Sequence, residues 1–68
     1  MTNYIKELRE SKGISRKELS VRSGIHYNKI SDYENGYTKT ENITVGNLFK
    51  IASALNVTLD ELCQFTVE

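Results

Sequence analysis

The chain of 68 residues has no proline, no tryptophan, one cysteine, one histidine and no net charge. Each absence excludes something. Without proline, and with four dispersed glycines, the composition favours a helical domain over a linker or a disordered tail. Cys63 alone builds no disulfide framework, so the context reads as reducing and cytoplasmic. His26 has no second histidine to share a metal with, and Cys63 stands at no ligand spacing from it, so no metal and no cofactor are expected. No apolar run approaches a membrane span and no signal peptide opens the chain, so no membrane partner is expected. There is no nucleophile–base pair, no Gly-rich phosphate loop and no pair of carboxylates placed for catalysis, which leaves no candidate catalytic residue and argues against an enzyme.

What is present fits one domain over residues 1–68. Domains of about 55–65 residues fold alone while burying only about 60% of their unfolded surface. The zero net charge hides a division. Residues 1–40 hold eight basic and five acidic side chains, whereas residues 41–68 hold only Lys50 against four acids. An N-terminal part of this kind can face phosphate while the C-terminal part faces away.

Helical punctuation runs through the sequence. A first helix is expected from about Asn3 to Lys12, capped by Thr2 or Asn3, with Ile5 and Leu8 on one face and Gly13 as its stop. Ser15 and Glu18 have capping-box spacing and open a second helix that ends at Ser23-Gly24. A third runs from about Tyr27 to Glu34, with Ile30 and Tyr33 on its inner edge and Asn28, Ser31, Asp32 and Asn35 on the other side. The polar loop Tyr37–Asn42 follows. Thr44 then caps a fourth helix with Leu48, Ile51, Ala52 and Leu55 as its buried stripe, and Asn56 stops it. Thr58 and Glu61 repeat the capping-box spacing before a short fifth helix starting at Leu59 and Leu62. Cys63 reads as a small buried or half-buried hydrophobe whose acidic neighbours Asp60 and Glu61 raise its pKa. By composition alone, the outer face of the third helix is simply solvated.

The order and spacing of LRESKGIS (8–15), KELS with SGI (17–25), KISDYENG (29–36) and LFKIASALNVTLDEL (48–62) resemble the phage repressor and Cro type of helix-turn-helix domain, the Xre family. The resemblance covers nearly the whole chain. It implies an all-α fold, a compact five-helix lambda-repressor-like domain with its helix-turn-helix at about 15–35. It makes the third helix the recognition helix, with Tyr27, Asn28, Ser31 and Asp32 as base contacts in the major groove. Asn28 suits adenine N6 and N7, and Asp32 suits cytosine N4. Arg16, where the family commonly has glutamine, together with Lys29 and Lys39 would contact phosphate. Arg9 and Glu34 would form an ion pair tying helix one to helix three. Leu59, Leu62, Phe65 and Val67 would supply the dimer patch. Three features depart from the family pattern: His26 at the cap of helix three, a loop about three residues longer after Gly36, and Ile43 where proline is usual.

The resulting expectation is a cytoplasmic transcriptional regulator, a repressor, that binds double-stranded DNA as a homodimer on an inverted repeat. With no room for a ligand-sensing domain, its regulation would come from concentration, dimerisation or a partner. The competing expectation is a protein-interaction module on the same fold, antitoxin-like, favoured by the neutral charge and by Asp32.

Overall fold

Ser15, Thr44 and Thr58 set where three of the helices begin. The computed structural model describes residues 2–64, and in it each of these hydroxyls accepts a hydrogen bond from the backbone N–H three residues on. Ser15 serves Glu18 at 3.0 Å, Thr44 serves Asn47 at 3.2 Å and Thr58 serves Glu61 at 3.2 Å. They open α2 (Arg16–Ser23), α4 (Val45–Leu55) and α5 (Leu59–Leu62). The box closes fully at Thr58, whose N–H donates to Glu61 Oε1 at 3.3 Å. Glu18 instead turns its carboxylate to Arg22, 2.7 Å away and one turn on.

The first helix, α1 (Ile5–Ser11), starts two residues later than the sequence suggests. Thr2–Asn3 is drawn into a two-residue strand, β1, that pairs antiparallel with β2 (Cys63–Gln64). The N–H of Tyr4 extends the pairing by donating to the Leu62 carbonyl at 2.8 Å. Asn3 still serves the helix start, since its Oδ1 accepts from the Ile5 N–H at 3.3 Å. Apart from this small ladder, which joins the two ends of the described chain, the fold is all-α with five helices, as expected.

Between α2 and α3 (Tyr27–Asn35) the chain turns at Gly24, whose φ of 73° is a left-handed conformation that favours glycine. Ser20 Oγ donates to the Ile25 carbonyl at 2.6 Å, and the Ile25 N–H donates to Ser23 Oγ at 3.2 Å. These two bonds fix the angle at which α3 leaves α2. Gly36 ends α3 in the same left-handed region.

The lengthened loop is anchored rather than loose. It holds a 3₁₀ turn over Thr40–Asn42, with Thr40 and Ile43 both buried. Asn3 Nδ2 donates to Thr40 Oγ1 at 2.8 Å, so the extra residues are tied back to β1. Ile43, which stands where the resemblance leads one to expect proline, is a buried aliphatic side chain.

One core unites the elements. Ile5 of α1, Leu19 of α2, Ile30 and Tyr33 of α3, the Leu48/Ile51/Ala52/Leu55 stripe of α4 and Leu62 of α5 are all buried, with Ile14, Ile25, Ile43 and Cys63 between them. This corrects one part of the expected dimer patch. Leu62 is 0% exposed within a single chain, so it has no surface to offer a partner. Its place opposite the Tyr4 N–H and under α4 explains why. Leu59 is half-buried against the same core, and Phe65 and Val67 lie outside the described residues. Burial pushes the Cys63 thiol up from its ordinary pKa, a desolvation effect rather than the work of acidic neighbours.

Candidate nucleic-acid interface

The outer face of α3 is built by alternation at helical spacing. Ile30 and Tyr33 point into the core, which turns Asn28 and Asp32 to solvent. Tyr33 is held from behind, its hydroxyl accepting from Asn47 Nδ2 of α4 at 3.0 Å. At the helix start, His26 does the capping expected of serine or threonine. Its Nδ1 accepts from the Asn28 N–H at 3.1 Å. A neutral ring with Nδ1 as acceptor carries its proton on Nε2.

Glu34 is the charge that organises one flank of α3. Its side chain is 0% exposed and meets two arginines. Arg9 grips it in a fork, Nε to Oε2 at 2.8 Å and Nη2 to Oε1 at 3.1 Å. Arg9 Nη1 also donates to the Ile14 carbonyl at 2.9 Å, so α1, the α1–α2 turn and α3 share one guanidinium. The hydrogen bond to Glu34 raises the Arg9 pKa above its ordinary value against the opposing cost of burial, and the group stays charged.

Arg16, the first residue of α2, takes the other side of the same carboxylate. Its Nε and Nη2 approach Glu34 Oε1 at 3.2 and 3.1 Å, and its Nη1 lies 3.4 Å from Ser31 Oγ. The guanidinium also stands over the Tyr27 ring. Ser31 in turn accepts from Asn35 Nδ2 at 3.2 Å. The structure therefore brings together Arg9, Arg16, Tyr27, Ser31 and Glu34 on the α1–α2 side of the outer face of α3. Asn28 and Asp32 are exposed beside them.

Lys29 lies on the opposite side of that face. With Gly24, Ile25, His26, Asn47 and Lys50 it lines a surface cleft of about 200 Å³. Lys39 is exposed at the N-cap of the 3₁₀ turn, and its side chain makes no hydrogen bond or ion pair among the described residues. Sequence reasoning assigns Lys50 no role at the site. Lys50 carries one signal, as the single cation of the C-terminal stretch. No group of three or more metal-ligating side chains gathers among the described residues, and no helix there is long and apolar enough to cross a membrane.

The helix-turn-helix family model matches residues 5–62. The chain belongs to that family. Its type is that of the Xre and lambda repressors, with the second helix of the motif, α3, held outward by the first. The crystal structure of the restriction-modification controller protein C.AhdI from Aeromonas hydrophila has the same fold, with a TM-score of 0.79. It is 32% identical over 87% of this chain and 85% of that one. No curated protein matches the chain. Family and structural likeness together support a DNA-binding transcriptional regulator, and regulators of this family are typically non-enzymatic.

Proposed function

We propose that the chain is a sequence-specific repressor that binds an inverted-repeat operator as a homodimer, placing α3 in the major groove of each half-site. The observation that carries this reading is the α3 face itself. Asn28 and Asp32 are exposed at adjacent outward positions on a helix whose inner edge is locked into the core. Asn28 can bond adenine N6 and N7 together, and Asp32 can accept from cytosine N4 while being repelled by phosphate elsewhere. Tyr27 and Ser31 border them, and Arg16, Lys29 and Lys39 supply cations for the flanking backbone. Two such units in a dimer read half-sites about 34 Å apart. Likeness to a restriction-modification controller protein fits a compact regulator of this kind acting in the cytoplasm.

Selection of sites from a random duplex library at near-physiological salt tests the reading. The expected product is an inverted repeat. A single half-site removes the homodimer and keeps the reader. Failure to enrich any sequence removes the reading altogether and favours the second one, a protein-interaction module. Asp32 on the outer face, an anion where phosphate would repel it, is the observation on that side.

A further inference from the structure

Lys29 and Lys50 come from different helices and face one cleft. Lys29 is in the first turn of α3, and Lys50 is midway along α4. Both are exposed, and among the described residues neither makes an ion pair. The cleft they share is lined further by Gly24, Ile25, His26 and Asn47, with no carboxylate among its lining residues. Asn47 is fixed there by its bond to Tyr33. Elsewhere around the motif the arginines already have partners: Arg9 and Arg16 share Glu34, and Arg22, which borders Lys50 in a second cleft, is paired with Glu18. Two lysines lining one concavity that holds no carboxylate make it positive, and an anion seated there is favoured.

The position of this cleft relative to α3 gives the anion its source. Arg16 marks the α2 side of the recognition helix through Ser31 and Tyr27, whereas Lys29 marks the α4 side through Asn47 and Lys50. Asn28 and Asp32 lie between the two flanks. A helix seated in a major groove about 12 Å wide has a phosphate wall on each side. We infer that Lys50 and Lys29 form a second phosphate seat, on the α4 flank, that holds the strand opposite the one facing Arg16. The inference rests on the DNA-binding reading and adds Lys50, a residue outside the helix-turn-helix motif, to the interface.

The test is the salt dependence of binding by the intact chain, on its selected duplex and on a random duplex, for the parent, Lys50→Ala, Lys50→Arg and Lys6→Ala. Lys6 is an exposed lysine of α1 and reports the effect of net charge alone. Lys50→Ala is expected to weaken both duplexes by the same factor and to flatten the log–log salt slope by about one unit, because one phosphate contact releases about 0.9 counterion. Lys50→Arg should keep the parental slope, and Lys6→Ala should leave it unchanged. A parental slope in Lys50→Ala, or an equal flattening in Lys6→Ala, overturns the seat while the reader stands. A parent with no salt-dependent DNA binding overturns both, which separates the failure of this inference from the failure of the function.

Discussion

The guanidinium of Arg16 stands over the ring of Tyr27, 5.8 Å from its centroid. The same group reaches the Glu34 carboxylate and the Ser31 hydroxyl. Arg16 is thus engaged within the chain before any phosphate arrives. A phosphate contact is compatible with these ties to Glu34, Ser31 and Tyr27, because a guanidinium has five N–H donors.

Lysine at this position separates the two roles. It keeps a positive charge for phosphate, but it has neither the planar fork for Glu34 and Ser31 nor the face that stacks on Tyr27. Arg16→Lys should retain the parental salt slope and lose discrimination at the base beside Tyr27 and Ser31. Arg16→Ala should lose both, with the slope lower by about one unit. Competition binding with single-base variants of the operator measures this. Full discrimination in Arg16→Lys would reduce Arg16 to a point charge.

Arg9 is expected to matter for stability rather than for sequence. Its removal leaves the buried Glu34 with Arg16 alone and deprives the Ile14 carbonyl of its donor. Stranding part of a buried pair costs about 3 kcal/mol. Arg9→Ala should therefore lower the urea midpoint substantially, and Arg16→Ala should lower it less, since Arg9 keeps its two-bond grip. A melting curve of Arg9→Ala that overlays the parent's would refute the structural tie.

His26 presents a simpler case. Its ring nitrogen caps α3 by accepting from the Asn28 N–H. Replacing a capping side chain with alanine costs about 1 kcal/mol, whereas serine is itself a favoured cap. Urea denaturation should place His26→Ser near the parent and His26→Ala below it. Equal loss in both variants would point to packing of the ring rather than to the cap.

Local chemistry made much of this fold legible in advance. The caps at Ser15, Thr44 and Thr58 need only a hydroxyl and a nearby N–H, and the α4 stripe is long enough to show its period. The rest depends on contacts distant in sequence. A two-residue strand has no period to detect, so the pairing of Asn3 with Cys63 left no trace. The approach of Arg16 to Glu34 spans 18 positions and required the angle fixed at Gly24. The Arg9–Glu34 placement came from family resemblance, because nothing in either residue's neighbourhood names the other. Lys29 and Lys50 border one cleft only because α4 packs on α2, which leads through Gly24 into α3.

Leu59 and Leu62 show the same limit within one short element. Four residues of helix cannot reveal which leucine faces inward, and both were expected at a dimer patch. Leu62 is fully buried and Leu59 only half so. Truncating a buried leucine to alanine costs about 2–5 kcal/mol, while a domain of this size has a total stability of roughly 3–10 kcal/mol. Leu62→Ala should therefore lower the urea midpoint by a large fraction at every protein concentration. Leu59→Lys keeps its aliphatic stem against the core and puts a charge at the surface. It should leave the helical signal intact and, if this edge of α5 joins two chains, weaken association in sedimentation equilibrium. The pair of variants separates folding from assembly. A folded Leu62→Ala with a parental melt and weakened association would return that residue to the interface, against its burial in the single chain.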